Sequence, residues 1–344
     1  MDRAEAGIRA HIDAIEQAVK TAPDEHVVFA DDGYASLTFD DRRYAAGRFE
    51  LPRIGTLKQA LAASRACATG VVNLMRLGGR RADRDIGHLQ ANAPPGTLFQ
   101  VASQFNCLES TKPCIVPIAR YFSDPTQGPR ASISAFPGTL LRHYRAPRPD
   151  GSRFVQANDD CLNLLHDAIG DAGARVCSGY LCTQDIPRPA ALEAALEVRF
   201  DQLRVGLHDG IEVVLGRNWY GAVQPGTTIA QAFTSTIALG GYSFAHDDRE
   251  FAGIRRHLLR AAYLGTLLGA LHLGMERVVL TLIGGGAFDN PAADIWDAIH
   301  WASSEAGRYA ASSLDVFVNV YEDVTNDHAR RLPEAVLPSA GARG

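Results

Sequence analysis

The stretch Val278-Val279-Leu280-Thr281-Leu282-Ile283-Gly284-Gly285-Gly286-Ala287-Phe288-Asp289-Asn290-Pro291 decides the fold. It opens as an apolar strand over Val278 to Ile283, passes through a glycine loop, and leads into helical spacing from about Ala292 to Ala306. Leu314 to Tyr321 then reads as a second strand. Strand, loop, helix and strand make a βαβ unit, which implies parallel strands joined by a right-handed crossover. Three glycines let the backbone approach a ligand closely, and the unpaired N–H groups at a helix start favour an anion. Asn290 and Pro291 suit the N-cap and the first helical position. In open α/β sheets ligands bind outside the carboxyl ends of strands, so the segment is a candidate diphosphate loop; its plain alternative is a tight connection. It lacks the third glycine of the dinucleotide fingerprint and is no P-loop. Glu322-Asp323, at the end of the next strand, stands where a ribose would be held, which keeps a nicotinamide-dependent oxidoreductase as an alternative.

Outward from this unit the chain reads as one large domain with decorations. A helix fits Ala4 to Lys20, from Ile8, Ile12, Ile15 and Val19 at helical spacing. A hairpin fits Val27 to Ala30 and Tyr34 to Phe39 around Asp31-Asp32-Gly33. Helices are expected over Thr56 to Leu77, Arg130 to Tyr144 with a kink or a break at Pro137, Asp160 to Ala172, Pro189 to Leu203 and Asp248 to Leu273. Thr97 to Ser103 reads as a buried strand, and Ile211 to Leu215 and Thr228 to Phe233 as antiparallel partners. The resulting division is an N-terminal helical and hairpin extension over 1–50, a catalytic domain over 51–327 and a flexible tail over 328–344.

Among 344 residues, 46% are hydrophobic and 21% charged, ordinary globular usage that argues against a disordered or fibrous chain. With a formal net charge of -5 and scattered basic residues, the chain has no electrostatic footprint for nucleic acid. No apolar stretch has the length of a membrane span. The six cysteines (Cys67, Cys107, Cys114, Cys161, Cys177, Cys182) form no C-x-x-C pair and read as buried thiols in a reducing compartment. A cytoplasmic location follows, one that an effector exported by a specialised secretion system would share. The 11 histidines show no metal-ligand spacing, so neither metal nor cofactor is expected.

Two further segments carry chemistry. In Gln100 to Glu109 a strand runs into polar residues, where Asn106 both donates and accepts, as a ribose diol requires, and Glu109 suits a base or a water-orienting group. In Asp124-Pro125-Thr126-Gln127-Gly128-Pro129-Arg130, Gly128 precedes a helix start and offers N–H groups opposite the first loop, while Asp124 alternatively caps its own turn. Among carboxylates, spacing alone does not choose between Asp124, Asp209, Asp289 and Asp294. Tyr242, Trp219 and Tyr220 are candidates to stack on an adenine or, more plainly, packing residues; the pair His208-Asp209 reads as structural.

The order of the segments Phe99 to Glu109, Asp124 to Pro129, Gly138-Thr139 with Arg142 and Tyr144, Gln231 to Thr236, and Leu280 to Pro291 resembles macrodomain-like proteins related to ADP-ribosyl hydrolases. The resemblance covers about Phe49 to Ala302. It implies an α/β fold of three α/β/α layers around a mixed, largely parallel sheet, with extra N-terminal helices. It also implies that Asn106 contacts the ribose, that Thr126, Gln127, Gly128 and Pro129 form the first phosphate loop, and that Gly284, Gly285, Gly286, Ala287, Phe288 and Asn290 form the second. Gln104 and Glu109 become site neighbours, and Glu109, Asp124 and Asp289 the candidate catalytic carboxylates. The branch it is similar to includes bacterial effector-type enzymes that remove ADP-ribose from arginine. The implied activity is metal-free hydrolysis of an N-glycosidic bond with ADP-ribose or an ADP-ribosylated protein as partner; a non-catalytic ADP-ribose reader is the rival.

Overall fold

The glycine loop sits near the middle of a ten-stranded sheet. The computed structural model describes residues 3–64, 70–219, 221–244, 247–320 and 327–339. Its strands are β1 (Val27–Phe29), β2 (Ala35–Phe39), β3 (Arg42–Glu50), β4 (Val72–Leu77), β5 (Thr97–Ala102), β6 (Ala146–Pro147), β7 (Arg153–Phe154), β8 (Gly206–Glu212), β9 (Thr228–Thr234), β10 (Arg277–Thr281), β11 (Leu314–Asn319) and β12 (Glu334–Ala335). The helices are α1 (Arg3–Thr21), α2 (Pro23–His26), α3 (Ile54–Ala63), α4 (Ile86–Ala91), α5 (Gln127–Ser134), α6 (Phe136–Tyr144), α7 (His166–Ile169), α8 (Pro189–Val198), α9 (Ala252–His272), α10 (Ala292–Gly307) and α11 (Asp327–Arg331). The sheet runs β1-β2-β3-β8-β9-β5-β10-β11-β4-β12, with β6 and β7 as a separate hairpin. From β9 to β12 every pairing is parallel; from β1 to β9 every pairing is antiparallel.

Register fixes the layers. Phe99 pairs with Gln231 across β5 and β9, so their side chains share a face and that of Gln100 points to the other. The Gln231 amide donates to the Ala131 carbonyl of α5, while the Gln100 amide donates to Thr266 of α9. Helices α5 and α9 therefore cover opposite faces, which makes the fold α/β/α with a mixed, largely parallel sheet. The central strands are buried on both sides, as parallel strands between helices must be: Leu98, Phe99, Val278, Val279, Leu280, Val316 and Val318 are all at most 1% exposed.

Several expectations change. The helix read over Thr56 to Leu77 stops at Ala63, and Val72–Leu77 is instead strand β4, parallel to β11. The β-branched Val71 and Val72 lie beyond Gly70, and tertiary pairing overrides the helical spacing. Arg42–Glu50, not expected as a strand, pairs with both β2 and β8 and joins the N-terminal hairpin to the main sheet. Of the helix read over Asp160 to Ala172, only His166–Ile169 is α-helical. The kink or break expected at Pro137 is a break at Ala135, with the proline in the first turn of α6, where its missing N–H costs nothing. The segment read as a tail forms β12, and Leu337 is 8% exposed. Cys67, Tyr220 and Glu322-Asp323 lie outside the described residues. Among those described, no helix is long and apolar enough to cross a membrane.

Candidate active site

A cleft of about 800 Å³ opens at the carboxyl ends of β5, β9, β10 and β11. Each strand contributes its last residues or the loop that follows: Ala102 to Gln104, Ser235 and Thr236, Thr281 to Phe288, and Asn319. Two walls are built from backbone. After β10, the loop folds on itself through Gly285 N–H to the Leu282 carbonyl, Asp289 N–H to Gly286 and Asn290 N–H to Gly284, the last at 2.9 Å. Gly284 has φ of +73°, a conformation that side chains rarely adopt, and a Cβ there would lie 2.5 Å from the Thr236 methyl. The N–H groups of Gly286, Ala287 and Phe288 have no partner among the described residues and border the cleft. Opposite, α5 starts at Gln127, whose N–H and that of Gly128 are the helix's own orphan donors. Such N–H groups attract negative charge without any lysine or arginine.

Glu109 is the buried carboxyl of this cleft. It is 3% exposed, lines the cleft, and its Oε1 is buried with no hydrogen-bond partner. Burial, the largest influence, pushes its carboxyl well above the ordinary range; the Arg142 charge opposes this and Asp124 adds to it. The carboxyl is tight against the first turn of α5: a Cβ on Gly128 would sit 2.1 Å from Glu109 Oε2 and 2.2 Å from the Ala102 carbonyl oxygen. Any side chain at position 128 would displace one or the other. Its backbone N–H donates to the Tyr121 hydroxyl at 3.0 Å, and that hydroxyl shares a hydrogen bond of 2.8 Å with Nε2 of His143. Burial and the Arg142 charge push His143 down to about 3, so the ring is neutral.

Side-chain amides shape the turn that presents Glu109. The Gln104 amide closes it, donating to the Ser110 carbonyl and accepting from the Ser110 N–H, each at 3.1 Å. Gln127 extends β5 beyond its last strand partner: its Nε2 donates to the Gln100 carbonyl and its Oε1 accepts from Ala102 N–H. Both glutamines border the cleft, yet their amides are committed to the protein.

The structure brings together Gln104, Glu109, Asp124, Thr126, Gln127, Gly128 and Gly284 to Phe288, all bordering one cleft. It does not bring Asn106, Asp289 or Asn290 there. Asn106 is fully buried; its Nδ2 donates to the Ser178 carbonyl and its Oδ1 accepts from Leu108 N–H, so it staples the turn instead of facing a ribose. Asn290 does not cap α10, whose N-cap is Pro291; its amide donates to the Ile237, Gly284 and Phe288 carbonyls and holds the glycine loop shut from behind. Asp289 is exposed, with φ of +51°, on the outer side of the loop beside Gly240. Asp209 accepts from the Tyr34 hydroxyl and Asp294 from Arg255, so neither is a cleft carboxylate. Oδ1 of Asp124 accepts from the N–H and hydroxyl of Thr126, leaving Oδ2 for the cleft.

Sequence reasoning missed Ser103, Ser110, Tyr180, Thr236 and Asn319. The strand-end rule would have found Thr236 and Asn319, since Asn319 closes β11 and Thr236 lies two residues past the end of β9. No local signal marks Tyr180, whose ring stacks on Tyr242 at 5.4 Å and meets Phe288 at 5.8 Å, forming an aromatic wall. Trp219 is not part of it: it is buried against Phe122 beneath the Arg130 guanidinium. Among the described residues, no group of three or more His, Cys, Asp or Glu is placed to hold a metal.

No protein-family model matches the chain, and no curated protein matches it. Solved structures do. A poly(ADP-ribose) glycohydrolase from Thermomonospora curvata is similar at 14% identity and a TM-score of 0.47, over 94% of this chain and 97% of that one. A poly(ADP-ribose) glycohydrolase from Deinococcus radiodurans in complex with ADP-ribose is similar at 12% identity and a TM-score of 0.46, over 82% of this chain and 93% of that one. At these scores the likeness is too slight to assign a function, which has to come from the cleft itself.

Proposed function

We propose that the chain is an ADP-ribosyl hydrolase that cleaves the glycosidic bond between an ADP-ribosyl unit and its acceptor, with Glu109 as the acid and arginine as the expected acceptor. The observation that carries this is a buried carboxyl, pushed up by burial, inside a cleft walled by two sets of unpaired backbone N–H groups. The N–H groups of Gly286, Ala287 and Phe288 and those of Gln127 and Gly128 take the diphosphate from two sides. Glu109 gives its proton to the departing acceptor atom as the bond to the anomeric carbon breaks, and the electron pair leaves with that atom. Water adds to the oxocarbenium-like carbon, and its proton returns to the Glu109 carboxylate. Free ADP-ribose and unmodified acceptor result, with the enzyme restored. Oδ2 of Asp124 is the group that would receive an arginine guanidinium, because its other oxygen is held in the turn.

The test incubates the chain with protein ADP-ribosylated on arginine and, separately, with poly(ADP-ribose), and measures the ADP-ribose released. Release from the arginine-linked substrate by the natural chain, reduced about 10²- to 10⁴-fold in Glu109→Gln with ADP-ribose binding retained, is expected. Release from the polymer alone would replace the arginine assignment. Binding of ADP-ribose with release from neither substrate would make the chain a reader, and calorimetric preference for an intact nicotinamide dinucleotide over ADP-ribose would overturn the proposal.

A further inference from the structure

Behind Glu109 lies a charge that the scheme above leaves unused. Arg142, on α6, is fully buried, and among the described residues its guanidinium donates only to neutral acceptors. Its Nε donates to the Cys107 carbonyl at 3.0 Å, one terminal nitrogen to Nδ1 of His208 at 2.9 Å, and the other to the Thr139 hydroxyl at 3.1 Å. The guanidinium carbon also lies 3.7 Å from the centre of the Phe233 ring. His208 can be only an acceptor toward it, because the other ring nitrogen donates to the Ala46 carbonyl at 2.7 Å. Among the described residues no carboxylate pairs with Arg142. A buried cation without an anion is costly, and a fold that keeps one needs a reason beyond packing.

The anchoring point supplies it. Cys107 has φ of +61° at the apex of the turn that presents Glu109, and the arginine holds its carbonyl. Gln156 locks the same assembly, its amide donating to the Asn106 carbonyl at 3.1 Å and the Arg142 carbonyl at 2.9 Å. Of the ionisable groups nearest the acid, Tyr121 and Tyr180 keep their protons, His143 is neutral, the Cys107 thiol is pushed up by burial, and Asp124 is an acid; Arg81 and Arg130 border the same cleft, and Arg130 is paired with Asp85. We propose that Arg142 is the standing counter-charge of Glu109: bound to neutral acceptors and fixed to the turn that carries the acid, it stabilises the carboxylate formed when Glu109 gives its proton to the leaving group. Arg142 touches no substrate in this scheme and is a positioning residue acting through Glu109. The assignment rests on the reading of Glu109 as the acid.

The experiment compares kcat and KM against pH for the natural chain, Arg142→Gln, Arg142→Lys and Glu109→Gln, with Arg142→Met as a second neutral variant should Arg142→Gln not fold. Turnover that needs protonated Glu109 falls as pH rises through its value in the substrate complex. Without the cation the carboxylate is harder to form, so a neutral variant should lose about tenfold or more in kcat with KM little changed. Its falling limb should also move to higher pH. Arg142→Lys, which keeps the charge, should keep the limb of the natural chain. A neutral variant whose limb does not move overturns the proposal, as does an equal loss of kcat in the lysine and neutral variants with all limbs superimposed, which is what a purely structural arginine would give. Undiminished turnover in Glu109→Gln would instead remove the underlying reading of the acid.

Discussion

Replacing Glu109 by glutamine should stabilise the protein, increasingly so as pH rises. The folded state holds this carboxyl well above its ordinary value of 4.5, chiefly by burial. The folded chain therefore keeps a proton that the unfolded chain releases, and stability falls with pH between 4.5 and the folded value. Below that window the protonated carboxyl and the amide are electrically alike and the two proteins should unfold together. Within it, one extra bound proton in the folded state gives a slope of about 1.4 kcal/mol per pH unit. For a chain of 344 residues that corresponds to about 2 °C in Tm per unit. Glutamine, which has no proton to release in this range, removes this dependence. Unfolding followed by circular dichroism at half-unit steps upward from pH 4.5 should show the Tm of Glu109→Gln pulling ahead until the folded-state value of the acid is passed. Parallel Tm curves for the two proteins would mean that Glu109 is ionised in the folded state, and the acid role would go with it.

Four further substitutions test the cleft and its surroundings. Gly286→Val should abolish ADP-ribose binding in calorimetry while leaving Tm within about 1 °C, because a Cβ there meets no atom within 4 Å and would intrude only on a bound phosphate; unchanged affinity would refute the placement of the diphosphate. Gly128→Ala should cost about 1–3 kcal/mol in denaturant unfolding and most of the turnover, since its methyl would displace the Glu109 carboxyl or the Ala102 carbonyl, and a variant of natural stability would show that the first turn of α5 yields freely. Asn106→Ala should destabilise by about 1–3 kcal/mol by stranding the Ser178 carbonyl and Leu108 N–H, whereas Asp289→Asn should leave stability, binding and turnover unchanged; the opposite ranking would restore the roles expected from the sequence.

The βαβ unit and its glycine loop were legible because their signals are local. An apolar run, three glycines and a helical period lie within thirty residues, and each is enforced by backbone sterics regardless of what packs on it. The strands at 42–50 and 72–77 were not legible for the converse reason. Arg42, Arg43 and Glu50 on β3 are exposed and give no apolar alternation at its ends, and β4 shares its valines and leucines with a helical pattern until β11 pairs with it.

Asn106 and Asn290 expose a sharper limit. An asparagine beside a phosphate loop has the right chemistry to hold a ribose, and residue type alone cannot separate that use from stapling the loop. What separates them is the partner: for Asn106 the Ser178 carbonyl, 72 residues along the chain, and for Asn290 the Ile237 carbonyl, 53 residues back. Glu109 shows the same dependence with the opposite outcome. Its type marked it as one of several carboxylates, and only tertiary burial distinguished it, through Gly128, Ala102 and a guanidinium from another helix. The sequence therefore shows where backbone donors are free to hold an anion, since such donors need only glycines and a helix start. Which carboxyl holds a proton depends on how far it is removed from water and which charges surround it, and those are set by residues distant in the chain.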